Sequence, residues 1–385
     1  MEPAQLSGGW QTVPTERSVI VLAHTVASVM RMLDYVPLLE PDLRIRLDWT
    51  AVPDRFEGGV AALLDRLNVP VVPWQEARER SYDLAVSTSL HQMEFLHAKR
   101  KFAAPHGCGY GKRFASWLWP ASETPPIYGL DSMSLLDQDG QLVFDSVVLS
   151  HADQLATLRD QCPEAVKAAV VGGDPAFDRL LASLQFRERY RHDLNVRRGQ
   201  TLVAVASTWG RESLLAHFPS LPTWLMRHLP ADHRVVMTIH PAVWHEHGPR
   251  QMYAYLREAH EAGLDLIGPG ADWRPLLAAA DMIISDHTSL SSYAAAIGIP
   301  VLLSHVAKDD IAPGSVIAAL AEHSPQLDQQ APLQDQLNAA RQASALQQAI
   351  AFNRVSSTRG RSAQVLRQTL YSLMALPEPS TPPRI

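Results

Sequence analysis

The sequence predicts an α/β protein made of two parallel-sheet domains that face each other across a cleft. Three observations lead there. Short apolar runs alternate with helical patterns along most of the chain, the signature of βα units. The alternation comes as two series, separated by a polar, charged stretch with no strand, "FRERYRHDLNVRRGQ" at 186–200. At 385 residues the chain is also too long for one ordinary core.

In the first series the expected strands are 18–24, 44–50, 69–74, 82–88, 101–105, 144–150 and 168–173, with helical patterns such as 25–39, 58–67 and 151–161 between them. The second series places strands at 201–207, 234–240, 264–270, 281–285 and 299–305, with helices near 211–228, 249–262, 272–280 and 289–297. The Gln-, Asp- and Pro-rich region 324–340 reads as irregular, and a last helix is expected near 360–376. The expected division is a first domain over 1–185, a linker helix over 186–200, a second domain over 201–350, a terminal helix within 351–376 that packs back on the first domain, and a disordered tail over 377–385.

Composition narrows the function classes. Lys plus Arg total 34 against 40 for Asp plus Glu, a net charge of −6, and no basic block marks a nucleic-acid footprint. Two cysteines, Cys108 and Cys162, are too few for a disulfide framework, and no CxxC occurs. No run of 18 apolar residues is present, so no transmembrane segment is expected. Peripheral membrane contact stays open, although no strongly basic amphipathic helix argues for it. The opening "MEPAQLSGGWQTVPTERS" lacks the basic-then-apolar pattern of a signal peptide. A cytoplasmic protein is expected, and nothing in the sequence specifies an oligomeric state.

In parallel α/β sheets, ligands sit outside the carboxyl ends of the strands. The residues there are polar, small or imidazole-bearing. His106, Gly107, Gly109, Gly111 and Lys112 follow the strand ending at 105, and Asp174 and Pro175 follow 168–173. Ser207, Thr208, Trp209, Gly210 and Arg211 close the strand 201–207, and His240 ends 234–240. Ser285, Asp286, His287, Thr288 and Ser289 lead from a strand into a helix. That helix start offers free N–H groups and a positive dipole end suited to a phosphate; ordinary N-capping by Asp286 or Thr288 is the alternative. His106 has the one side chain of its stretch that titrates near neutrality, which makes it a candidate general base among glycines that admit a close approach. Lys112 and Arg113 could meet negative charge. His24, at the end of the first strand, faces the same cleft edge and is a candidate acceptor contact. His245, Glu246 and His247 match no standard zinc spacing, so no metal site is expected. Cys108 shows no sign of an activated thiol. Trp117 and Trp119 either line an entrance or pack, and Asp178 and Arg179 are expected to pair locally.

Five of these stretches, in order, resemble the CDP-glycerol glycerophosphotransferase family, teichoic-acid-type polymer enzymes of GT-B architecture. They are "PHGCGYGK" (105–112), "GGDPAFDRL" (172–180), "STWGRESLL" (207–215), "IHP" (239–241) and "SDHTSLSSYAAA" (285–296), within roughly 80–305. The chain is also similar to an actinobacterial-type branch carrying "PHG-x-G-Y" and "STWG". The resemblance implies GT-B architecture, with two Rossmann-like domains, and His106 as the base that deprotonates an acceptor hydroxyl. It implies that His240 contacts the donor pyrophosphate, that Thr288 and Ser289 bind donor phosphate, and that Asp286 orders that loop. His287, Ser207, Thr208 and Arg211 belong to the same expected donor site, and Gly107, Gly109, Lys112 and His24 to the acceptor side. The pattern departs from the family at Lys112, one residue later than usual after His-Gly, at Arg211, and at Thr238 and Ile239, where a basic residue is usual. It departs again at Tyr293, where the family carries an acidic residue.

The expected activity is metal-independent transfer of a glycosyl or glycerophosphoryl group from a nucleotide-diphosphate donor, CDP- or UDP-linked, to a hydroxyl acceptor. No other cofactor is expected. A sugar-nucleotide epimerase or hydrolase of the same architecture, and a non-catalytic nucleotide-binding protein, remain as alternatives.

Overall fold

A computed structural model describes residues 13–54 and 56–383. The stretch 1–12, which belongs to the N-terminal segment without a signal pattern, lies outside the described residues, as do Arg55 and the last two residues of the expected tail.

Two parallel sheets form. The first joins β1 (Arg17–Ala23), β2 (Ile45–Ala51), β3 (Ser81–Ser87), β4 (His97–Ala103), β5 (Ser146–Leu149) and β6 (Ala169–Val171) in the order β2-β1-β3-β4-β5-β6. The second joins β7 (Thr201–Ser207), β8 (His233–Ile239), β9 (Asp265–Ile267), β10 (Met282–Ser285) and β11 (Val301–Leu303) in the order β11-β10-β7-β8-β9. The interior strands such as β1, β5, β7 and β10 are largely apolar without alternation because helices cover both faces. In β1, Val19 and Val21 enter one core and Ile20 and Leu22 the other. In β7, Ala204 and Ala206 face one layer while Val203 and Val205 face the opposite one.

Several expectations need correction. Residues 69–74 form no strand; Val71 makes a single bridge to Trp49 before the helix Trp74–Glu79 begins. Pro70 and Pro73 lack the N–H groups a ladder needs. Region 324–340 is not irregular throughout: the helix Leu333–Val355 starts inside it. Residue 351 is therefore within that helix, and the terminal helix is the separate Ser362–Leu373. Its Leu366, Leu370 and Tyr371 enter the core that contains Val19 and Trp49 of the first sheet. The tail is also tied down: Arg367 binds Glu378 and the carbonyl of Thr381, and Arg44 binds the carbonyl of Pro377.

The connector 186–200 carries the helix Arg187–Asp193. Arg187 and Arg191 both pair with Asp281 ahead of β10, at 2.5 and 2.9 Å, which fixes the helix to the second domain. Between the domains runs a buried ionic seam. Arg31 of the helix Val26–Met32 pairs with Asp174 at 2.9 Å, and the Tyr293 hydroxyl donates to the other Asp174 oxygen at 2.7 Å. Asp34 accepts from Arg274 at 2.5 Å and Arg179 at 2.8 Å. Asp178 and Arg179 do not pair with each other, because the Asp178 carboxylate instead receives the N–H groups of Gly360 and Ser362. Among the described residues, no helix is long and apolar enough to cross a membrane.

Candidate functional site

The loop after β4 carries His106 to Phe114 into the second domain. The Cys108 N–H donates to Ser289 Oγ at 3.1 Å, and the Lys112 ammonium reaches Thr208 Oγ1 at 3.5 Å. The Ala312 N–H donates to the Gly111 carbonyl at 3.0 Å and the Arg113 N–H to the Asp310 carbonyl at 2.9 Å. Gly107 is required by this approach: a Cβ there would stand 2.6 Å from Ser289 Oγ. Gly109 has φ +63°, and a Cβ would meet Gln154 and Ser150. The glycines thus admit the protein's own helix start and neighbouring loops.

His106 is open to solvent, yet protein surrounds it on most sides. That partial desolvation, with Lys112 and Arg31 nearby, pushes its pKa down to about 4. His240 lies within the same field: desolvation, Lys112 and His106 push it down to about 3. At neutral pH both rings are uncharged. Nδ1 of His240 accepts the Ala242 N–H at 3.2 Å and caps the helix Pro241–His247, so the ring proton sits on Nε2. Lys112 is lowered by desolvation and supported by Asp286 and Asp310. His106, Lys112 and His240, from two domains, thus share one electrostatic neighbourhood.

Asp286 is fully buried, and its Oδ2 accepts the N–H groups of Thr208 (2.8 Å) and Leu214 (2.7 Å). One carboxylate therefore pins both ends of the loop after β7, while desolvation raises its pKa to about 6. Thr288 caps the helix Ser289–Ala296, accepting the Leu290 N–H at 3.4 Å. Thr288 thus fills the capping role, and Asp286 serves the neighbouring loop.

Other expected site residues are placed differently. The Ser207 hydroxyl is buried, donates to the Thr208 carbonyl and accepts the Leu215 N–H, so it is a fastening inside the loop. His24 does not line the cleft: it is completely buried, with Nε2 on the carbonyl of His91 at 2.7 Å. His287 is turned into protein, 7% exposed, with Nδ1 unpartnered. Arg211 is exposed and lies over the Trp117 ring, 4.9 Å from its centroid, and Trp209 meets Phe56 at 5.0 Å. The loop after β7 therefore touches the first domain twice through aromatic rings. Burial pushes the Cys108 thiol up, the direction opposite to an activated nucleophile. His245, Glu246 and His247 are all exposed on the helix Pro241–His247 and show no shared partner.

Tyr293, the departure from the acidic pattern, is accounted for by the seam: it binds Asp174 and stacks on Trp273 with centroids 5.0 Å apart. Sequence reasoning misses Arg31, Asp34 and Arg274, since partners 143 and 240 residues apart leave no local signal. It also misses Glu212, His217 and His305, which the fold gathers beside the loop after β7.

Two parallel-sheet α/β domains meeting at a histidine-bearing site define a GT-B fold. Solved structures agree. The wall teichoic acid polymerase TagF, in a form soaked with CDPG, superposes with a TM-score of 0.62 at 12% identity, covering 96% of this chain and 91% of that one. UDP-GlcNAc 2-epimerase from Neisseria meningitidis, bound to UDP-GlcNAc, gives 0.55 at 12% identity, covering 92% and 100%. Anabaena HepE in complex with UDP and glucose gives 0.50 at 14% identity, covering 94% and 100%. No family model matches the chain, and no curated protein matches it.

Proposed function

We propose that this protein is a GT-B transferase that moves a glycosyl or glycerophosphoryl group from a CDP- or UDP-linked donor to an acceptor hydroxyl. The observation that carries the reading is the convergence of His106, Lys112 and His240 across the domain boundary, beside the start of the helix Ser289–Ala296. The named binding partners of the GT-B neighbours, CDPG, UDP-GlcNAc and UDP with glucose, support the donor class.

The donor pyrophosphate lies against the second domain. His240 donates from Nε2, Lys112 supplies positive charge, and the 289–296 helix offers N–H groups at its positive end. Neutral His106 takes the proton from the acceptor hydroxyl as that oxygen attacks the sugar anomeric carbon or the donor phosphorus. The bond from that centre to the leaving nucleotide breaks, and the developing charge falls among the same donors. No step in this scheme passes through a metal.

Thermal shift with CDP, UDP, GDP and ADP tests the donor site. Selective stabilisation by one diphosphate is expected in the wild type, with loss in His240→Ala and in Thr288→Ala/Ser289→Ala. His106→Ala should keep that stabilisation and lose turnover by about 10²–10⁴-fold. Near-normal turnover of His106→Ala would remove the base from the mechanism. Donor converted at full rate without acceptor would shift the reading to an epimerase or hydrolase. Silence toward all four nucleotides would favour a non-catalytic protein.

A further inference from the structure

Glu212, His217 and His305 make a second cluster, which the transfer scheme leaves unused. Glu212 Oε2 lies 2.8 Å from His305 Nε2 and 3.1 Å from His217 Nε2. The two imidazoles stack with centroids 3.7 Å apart and planes 26° from parallel. One ligand atom from each residue falls within 4.8 Å of the others. We propose that these three side chains hold a divalent first-row transition-metal ion, zinc(II) being the best fit, and that the ion ties the loop after β7 to the end of β11.

The donor set is the first argument. Two imidazole nitrogens and one carboxylate oxygen form a recognised zinc set that leaves a fourth position for water. Zinc bonds of about 2.0–2.1 Å at tetrahedral angles separate neighbouring ligand atoms by roughly 3.3 Å. The two contacts to Glu212 lie within about half an ångström of that spacing, and the stacked imidazoles, with centroids 3.7 Å apart, splay to admit an ion.

Ring geometry is the second. Aromatic rings prefer offset or edge-to-face arrangements to close face-to-face stacking. Here two near-parallel imidazoles turn the same nitrogen toward one oxygen. As a metal-free cluster, both must carry a proton on Nε2 and crowd it onto a single carboxylate. A shared cation replaces those two protons with one charge that all three groups favour.

The frame is the third. Glu212 sits in the loop whose two ends Asp286 holds, and Ser213 beside it caps the short helix Leu214–His217. His305 follows Ser304, whose N–H donates to the Ser285 carbonyl at 2.7 Å. The backbone that carries Glu212 and His305 is therefore anchored to the sheet before any ion arrives. Their side chains are 31%, 34% and 36% exposed, enough for an ion to enter and for water to complete the shell. The role that fits is a clamp across two loops at the carboxyl edge of the second sheet.

Untagged protein, stripped with a chelator and dialysed, would be titrated with zinc(II) in competition with a chromophoric chelator, and separately with cobalt(II). One ion per chain is expected, with the intense visible bands of tetrahedral cobalt. His305→Ala and Glu212→Gln should each weaken zinc binding on the order of 10²-fold or more. His245→Ala/His247→Ala, which removes the exposed histidines of the helix Pro241–His247, should bind as the wild type does. Circular dichroism reports whether each variant folds, and Glu212→Gln keeps the side-chain shape if His305→Ala does not. Absence of zinc binding in the wild type, equal affinity in the Glu212 and His305 variants, or loss only in the His245/His247 variant would each overturn the proposal.

Discussion

At the scale of single residues, protonation separates the histidines that fold the protein from those that serve its site. His24 is enclosed completely, and desolvation pushes its pKa down to about 4. Its folded-state pKa lies below the unfolded value of about 6.5, so the unfolded chain takes up the proton first. Its contribution is whole above about pH 6.5 and fades as pH falls toward 4. Linkage gives a loss of about 2 kcal/mol between pH 7 and pH 5. Urea unfolding of wild type and His24→Gln at those two pH values checks this: the wild type should lose more stability on acidification, and parallel losses would refute it. In the proposed scheme His106, lowered to the same range but open to solvent, would read out its protonation in turnover instead.

Elements position the site, and here a glycine decides how closely two of them approach. Gly107→Ala places a methyl group against Ser289 Oγ at 2.6 Å, which turns that hydroxyl off the Cys108 N–H or pushes the β4 loop from the 289–296 helix. A drop in stability of about 1–3 kcal/mol is expected from such overpacking. The pair Gly107→Ala/Ser289→Ala should recover much of it, since the next atom, Ser289 Cβ, is at an ordinary 3.8 Å. Additive losses in a double-mutant cycle would show that the contact is not the cause.

Much of this layer is legible in the sequence. The strand 201–207 has the limits its residues predict, because the apolar run "LVAVA" is bounded by polar Thr201 and Ser207. β4 is longer than its apolar residues suggest. Its first half, "HAKR", extends past the short β5, which pairs only at Phe102 and Ala103, so that half carries exposed polar residues. The helix Leu333–Val355 is hidden by glutamines whose polarity suggests a loop. Gln and Ala are good helix formers, and the buried Gln347 side chain accepts the Val301 N–H and donates to the Val301 carbonyl, closing the free edge of β11. In the site, His106, Lys112, Thr208, His240, Asp286 and Ser289 are marked by their places at strand ends. Ser207 and His24 carry the same mark, yet their side chains are turned into protein, because strand-end position says nothing about which way a side chain turns.

For the whole molecule, the ionic seam determines how firmly the two domains hold each other. Arg31 and Asp174 are 5% and 0% exposed, and Tyr293 brings the second domain into the same cluster. Asp174→Ala leaves the buried Arg31 guanidinium with only its longer contact to Asp34, at 3.7 Å, at an expected cost of about 3–5 kcal/mol. Arg31→Met/Asp174→Ala should cost less than the sum of its parts, because no unpaired charge remains. Guanidinium unfolding of the three variants decides this, and a loss below about 1 kcal/mol in Asp174→Ala would show that the seam is not strongly coupled.

The helix Ser362–Leu373 gives the architecture an order in time. Arg17, at the start of β1, holds the carbonyl of Met374, 357 residues further along. A chain emerging from the ribosome makes β1 long before the helix that completes its core exists. The second domain has all of its strands earlier and can close on itself first. The domain begun first is thus the last to be finished, and until then its apolar face, around Val19 and Trp49, stands uncovered.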